Sequence, residues 1–266
     1  MLLLSLDSQN MHNFKDRYFS YIERRFKNSE LNEAILYALK TGGKFFRPSI
    51  FQSLCKDIGV VDEEKIFWFS CFLEFHHNYT LIHDDLPCMD NDDYRRGKET
   101  VHKKFNEWIA VLAGDALLSA SYECLSRVEN FELSKFCFWA LGEKGLIEGQ
   151  AQDLQQEQAN CLNKTLRTHE LKTARLIQTA LIGAVYLKED YTFDLYKNIF
   201  RLGQKLGLLF QIKDDLDDFN SHTSEELNIV KCGKEELSKL YASLEQSQNR
   251  ILKVYKLDLT RKILSY

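Results

Sequence analysis

The sequence predicts an all-α fold, and three observations carry that reading. Only two prolines, Pro48 and Pro87, occur in 266 residues, so little in the chain breaks long helices. Apolar residues recur at helical spacing in three segments: Leu31, Ile35, Leu36 and Leu39; Leu112, Ala116 and Ala120 with Leu117 beside them; and Ile199, Leu202, Leu206 and Leu209. No stretch of strict alternation is long enough to build a sheet.

The elements follow in order. Met1 to Asn10 carries a short leucine run without a basic flank or a small-residue cleavage site, so it is not read as a signal peptide. The stripe over residues 31–39 is a helix that stops at Thr41-Gly42-Gly43, a loop signal. Pro48 suits the first turn of the next helix, where its missing N–H would have had no partner. Ile66 to Leu86 is apolar but interrupted by Glu74, His76, His77 and His83, and Trp108 to Leu125 carries Asp115. Those polar residues argue against membrane spans. Further loop signals lie at Asp90 to Lys98, Gly142 to Gly145 and Asn220 to Asn228. With no repeat and no Ser/Pro linker, residues 1–266 read as one domain of roughly ten helices.

Composition narrows the function classes. An apolar fraction of 44%, with 18 Phe and 12 Tyr, suits a globular chain with a bulky aromatic interior. The net charge is −4 and there is no basic tail, which argues against a nucleic-acid partner. Seven cysteines, an odd number without a CxxC pair, fit reduced thiols in the cytoplasm.

The strongest chemical signal is Asp84-Asp85-Leu86-Pro87-Cys88-Met89-Asp90-Asn91-Asp92-Asp93, followed by Tyr94-Arg95-Arg96-Gly97. Five carboxylates in ten residues repel one another unless solvated or bound to cations. Mg²⁺ is a hard ion that shares its shell between carboxylates and substrate phosphates. The bland alternative is a solvated acidic loop after a helix. A second cluster, Asp214-Asp215-Leu216-Asp217-Asp218, also follows an apolar helical stretch. Asp214 and Asp218 are four apart and share a helix face, where like charges cost stability unless a cation intervenes. The reading that explains both clusters is one cavity where metal bridges them to a diphosphate; the alternative is two unrelated acidic helix ends.

A basic turn, Gly42-Gly43-Lys44-Phe45-Phe46-Arg47-Pro48, sets Lys44 and Arg47 at a helix N-terminus, which itself attracts phosphate. His77 lies seven residues before Asp84 on the same helix face, either as a core histidine or as part of the site.

Together these motifs resemble the trans-polyprenyl diphosphate synthase family, and most of all its bacterial farnesyl diphosphate synthases. The resemblance rests on Gly43-Lys44-x-x-Arg47-Pro48, the first aspartate-rich motif ending in Arg95-Arg96-Gly97, Leu171-Lys172-Thr173, and Phe210-Gln211-x-x-Asp214-Asp215-x-x-Asp218. Ala113-Gly114-Asp115-Ala116 and Gly149-Gln150-Ala151-x-Asp153-Leu154 match as well. It covers about residues 30 to 220 and implies an isoprenoid synthase fold, helices around a central cavity.

By position, the resemblance implies that Asp84, Asp85 and Asp90 hold Mg²⁺ on one wall and Asp214, Asp215 and Asp218 on the other, with three ions once substrate is bound. Arg95, Lys172, Thr173 and Gln211 would contact an allylic diphosphate. Lys44, Arg47, His77 and Arg96 would bind isopentenyl diphosphate. The implied reaction joins these two substrates, with Asp84, Asp85, Asp90, Arg95, Lys172 and Asp214 as its catalytic residues. Tyr79, five positions before Asp84 and about 7.5 Å down the helix, would be the floor that limits product length. With the smaller Thr80 beside it and the insertion that includes Pro87, it points to a fifteen-carbon farnesyl product. A homodimer is implied by resemblance alone.

Three departures stand out. Phe45-Phe46 replaces the family's basic-apolar pair, Asp217 stands at a usually apolar position, and the segment after Asp218 is short, with no evident closing lysine unless Lys231 or Lys234 serves. Alternatives are a geranyl or geranylgeranyl diphosphate synthase, a terpene cyclase, or a non-catalytic subunit of a heteromeric synthase. Lys44, Arg47 and Arg96 argue against a cyclase, and two intact acidic motifs argue against a subunit.

Overall fold

The structure, a computed structural model, describes residues 2–155, 162–221 and 234–264. These residues form α1 (Leu2–Arg25), α2 (Glu30–Lys40), α3 (Phe46–Ile58), α4 (Glu63–Asp84), α5 (Val101–Lys104), α6 (Glu107–Ser126) and α7 (Phe131–Leu141). The series continues with α8 (Leu146–Leu154), α9 (Leu162–His169), α10 (Arg175–Leu187), α11 (Phe193–Ser221), α12 (Lys234–Val254) and α13 (Asp258–Leu264). The predicted loops at 41–43 and 142–145 separate α2 from α3 and α7 from α8. Helix starts follow local chemistry: the side chains of Ser29, Asp62, Asn106 and Asn130 each accept a bond from the backbone N–H three residues on.

Two compact units emerge, Met1–Ser53 with Asp62–Glu129, and Leu54–Val61 with Asn130–Tyr266. In the first, α4 packs on α6. Phe69, Phe72, Phe75, Ile109 and Leu117 are fully buried there, together with Tyr18 of α1 and Phe51 of α3. Ala110, Ala113 and Ala120 keep the buried face of α6 thin enough for this aromatic layer. By length and composition α6 could cross a membrane, but half of that stretch is buried, as in a core helix.

In the second unit α10 is buried from Arg175 to Val185, and its apolar side chains run nearly all round. Ile212 of α11 and Leu237 of α12 are buried together, with Leu208, Leu216, Leu240 and Leu244 around them. Asp57 accepts bonds from the backbone N–H groups of Leu259 and Thr260 at 3.0 and 2.8 Å, which fixes the start of α13.

Two local features depart from the sequence reading. The predicted loop at 90–98 contains a minimal antiparallel ladder, β1 (Tyr94–Arg95) with β2 (Lys98–Glu99). A π-helical turn, Glu170–Ala174, joins α9 to α10. The segment expected to be a loop from Asn220 to Asn228 begins inside α11; residues 222–228 and Lys231 lie outside the described residues.

Candidate active site

Asp84 is the last residue of α4 and Asp85 is its C-cap. Carboxylates at the negative end of a helix dipole are unfavourable unless a cation is near. The loop with Pro87 then folds back: the Asp90 N–H donates to the Asp84 carbonyl at 2.9 Å, and the Asn91 N–H donates to that of Leu86 at 3.1 Å. The insertion thus returns Asp90 to the helix end, where Asp84 is half-buried and Asp90 exposed.

Asp85 differs. Its Oδ1 accepts from Arg95 Nε at 2.6 Å and it is 4% exposed. Burial raises its pKa, and Arg95 offsets that only in part. Burial works against the charge on Arg95, but Asp85 and Asp92 outweigh it and hold its pKa above the usual value.

The hairpin separates two adjacent arginines. Arg96 and Gly97 form its two-residue connection, both with positive φ, 54° and 76°. That is the geometry of a type I′ turn, easy for glycine and costly for arginine. A non-glycine residue held there suggests that its side chain is needed. Arg95 engages Asp85, while Arg96 reaches the basic turn: a Cβ on Gly43 would lie 3.4 Å from Arg96 Nη1.

In that turn Arg47 is the second residue of α3 and Pro48 the third, as predicted. Lys44 is exposed, and Arg47 and His77 are half-buried. Burial pushes Arg47 down to about 10, Arg96 pushes the same way, and Glu74 opposes them. His77 is held well below its usual value by burial, then by Arg47, Arg96 and Arg95, so it is neutral. The structure therefore brings Arg47, His77 and Arg96 within electrostatic reach of one another. Arg47 Nε is buried without a hydrogen-bond partner among the described residues. Two guanidinium groups held this close, one of them with an unused donor, have the chemistry to receive an anion.

The second unit carries its own polar group. Lys172 and Thr173 lie on the π turn, a distortion often found at functional sites. Thr173 Oγ1 donates to Gln211 Oε1 at 2.9 Å, and Lys172 Nζ donates to Asp153 of α8. Two glycines permit this: a Cβ on Gly149 would lie 2.3 Å from the Lys172 backbone nitrogen, and one on Gly207 would lie 2.3 Å from the Ala174 Cα. Asp214, Asp215 and Asp218 fall in the last two turns of α11, and their side chains lie outside the described residues. The second acidic motif, like the first, therefore stands near a helix C-terminus. A groove of about 450 Å³ on the second unit, lined by Asp194, Arg201, Lys205 and Tyr255, contains none of these residues.

The model of the polyprenyl synthetase family matches residues 28–252. The chain belongs to the polyprenyl synthetase family. It is similar to the farnesyl diphosphate synthase of Micrococcus luteus, 35% identical over an alignment of 240 residues that covers 85% of this chain and 82% of that protein. Its fold is similar to that of a geranyltranstransferase from Thermotoga maritima, with a TM-score of 0.83, 28% identity and 96% of each chain covered. It also resembles a Helicobacter pylori geranyltransferase complexed with magnesium and isoprenyl diphosphate, with a TM-score of 0.80, 30% identity, and 97% and 95% of the two chains covered. As a family member, the protein is a trans-prenyltransferase of the isoprenoid synthase fold.

The family's magnesium suits the residues present. Asp84 and Asp90 are oxygen donors returned to one helix end by a backbone bond. No group of three metal-type side chains forms among the described residues, so further ligands must come from elsewhere, as Mg²⁺ commonly takes them from phosphate and water. Glu74 and Asp153 escaped the functional reading of the sequence. Glu74 looked like a lone charge in an apolar stretch, and nothing in the motif spacing pairs Asp153 with Lys172.

Proposed function

We propose that this prenyltransferase condenses isopentenyl diphosphate with dimethylallyl and then geranyl diphosphate to make farnesyl diphosphate and diphosphate. The observation that carries this reading is the grouping of Arg47, His77 and Arg96 as an anion site beside a helix end bearing Asp84, Asp85 and Asp90. A cyclase has no second diphosphate to bind, and the paired guanidinium groups of Arg47 and Arg96 would serve nothing there.

Arg95, Lys172, Thr173 and Gln211 hold the allylic diphosphate. Their present partners, Asp85 for Arg95 and Asp153 for Lys172, are acids that a diphosphate can replace. Asp84, Asp85 and Asp90 from one motif, with Asp214, Asp215 and Asp218 from the other, hold three Mg²⁺ ions. Bound Mg²⁺ supplies positive charge that stabilises the departing diphosphate.

The allylic C–O bond breaks and its electron pair leaves with diphosphate. Lys44, Arg47, His77 and Arg96 hold isopentenyl diphosphate so that its double bond meets the allylic carbon and forms the new C–C bond. A proton is then lost to the departed diphosphate, which relieves the protein of supplying a strong base. Tyr79, 6% exposed, with Thr80 beside it, limits the growing chain.

The protein acts as a homodimer in the cytoplasm. Exposed Trp108, Val111 and Leu112 on α6 support a covered face. Free thiols at Cys55, Cys71, Cys88, Cys124 and Cys137 support a reducing compartment.

The test is incubation of purified protein with Mg²⁺, dimethylallyl diphosphate and labelled isopentenyl diphosphate, followed by product chromatography. Fifteen-carbon diphosphate formed without a second protein supports the reading. A hydrocarbon product identifies a cyclase, and no elongation until a second subunit is added identifies a non-catalytic partner; either overturns it.

A further inference from the structure

Beside the cations of the first unit stands a carboxylate that none of the substrate contacts uses. Glu74 lies on α4 one turn before His77 and is 3% exposed. Asn78 Nδ2 donates to its Oε1 at 3.2 Å and to its backbone carbonyl at 2.8 Å. The same Oε1 is 2.9 Å from the point where a Cβ on Gly43 would stand, the point from which Arg96 Nη1 is 3.4 Å away. Carboxylate and guanidinium thus converge on the bare α-carbon of the basic turn.

The surrounding charges agree with this geometry. Burial raises the pKa of Glu74, and Arg47, the Asn78 bond, Arg96 and Lys15 offset that in part, while Glu74 in turn favours the charged form of Arg47. Lys15 Nζ stands 5.3 Å from the Phe45 ring centroid, on the same turn. A buried carboxylate is costly, and an apolar side chain would pack there at less cost. Two guanidiniums that must meet one diphosphate repel each other before it arrives. A fixed anion beside them offsets that repulsion and keeps both in place, a form of preorganisation.

We infer that Glu74 is a positioning residue for isopentenyl diphosphate: a buried counter-ion that holds Arg47 and Arg96 ready for the diphosphate, with Gly43 kept free of a side chain so that the carboxylate can stand against the turn. The inference rests on the proposed role of Arg47 and Arg96.

Steady-state kinetics on the full chain test it. Glu74→Gln keeps an acceptor for Asn78 and removes the charge. It should raise KM for isopentenyl diphosphate at least fivefold, with kcat and the allylic KM within about twofold. Glu74→Asp should recover at least half of that loss, and Gly43→Ala, which keeps the charge but crowds Oε1, should raise the same KM. Arg96→Gln is the control for the site itself. If Arg96→Gln raises KM for isopentenyl diphosphate and Glu74→Gln does not, Glu74 has no positioning role while the site assignment stands. If Arg96→Gln leaves that KM unchanged, the site assignment fails and the inference with it. Should Glu74→Gln not fold, Gly43→Ala decides alone, and an unchanged KM overturns the inference.

Discussion

Arg95 Nη2 lies 2.5 Å from Asp85 Oδ1, so the second aspartate of the first acidic motif is engaged by the arginine ten residues on. The side chain of Asp85 is 5% exposed and that of Arg95 30%, so removing one partner strands the other in poorly solvated surroundings. Arg95→Gln should lower the stability of the ligand-free protein by about 1–3 kcal/mol. Adding Asp85→Asn to Arg95→Gln should cost less than the two single losses summed. Urea denaturation of the four proteins checks this, and full additivity would show that the pair contributes no stability.

The π turn depends on close approach. A Cβ on Gly149 would meet the backbone around Lys172 and Leu171, which cannot swing aside as a side-chain tip could. Gly149→Ala should destabilise by about 1–3 kcal/mol, the usual cost of overpacking. Because the displaced atoms belong to Lys172, the allylic KM should also rise. Thermal unfolding and kinetics on the same variant test both effects; wild-type values in both would contradict the packing role.

Tyr79 makes an edge-to-face contact with the His76 ring at 4.6 Å and another with His83 at 5.9 Å. These neighbours hold its ring in place, as its proposed role as the floor requires. Tyr79→Ala should release products longer than fifteen carbons while elongation continues. An unchanged product profile on chromatography would remove Tyr79 from chain-length control.

His76 gives the fold an acid sensitivity. Burial, and then Arg47, pushes its pKa down to about 3. The unfolded chain takes up the proton near the ordinary value of about 6.5, so over the interval between these values it binds more protons than the folded chain. The stability of neutral His76 is complete above about 6.5 and falls as pH drops towards the folded value. His76→Phe should lose less stability than the parent between about pH 6.5 and pH 4.5. Equal losses in urea midpoints at the two pH values would contradict the buried neutral histidine.

Much of the fold was legible because long helices announce themselves. The stripes at Leu31–Leu39 and Ile199–Leu209 lie within α2 and α11, and the loop signal at Gly42-Gly43 and Pro48 bracket the start of α3. The hairpin at Arg95–Lys98 was not legible, since two-residue strands are too short for alternation to register. The π turn was hidden for another reason: it packs closely against Gly149 and Gly207, which lie far from each other in sequence and approach Lys172 and Ala174. The motif residues were legible, but their partners were not. Asp85 with Arg95 could be guessed from proximity in the chain, whereas Glu74 beside Gly43 and Asp153 beside Lys172 depend on helix packing.

The claim on which the mechanism turns is that the two acidic motifs serve the same magnesium-bound diphosphate. A crystal structure of the protein soaked with Mg²⁺ and inorganic diphosphate tests it directly. The account predicts ions ligated by Asp84 or Asp90 and by Asp214, Asp215 or Asp218, all touching one diphosphate. Diphosphate bound with ions at one motif only, the other motif remaining solvated, would contradict it.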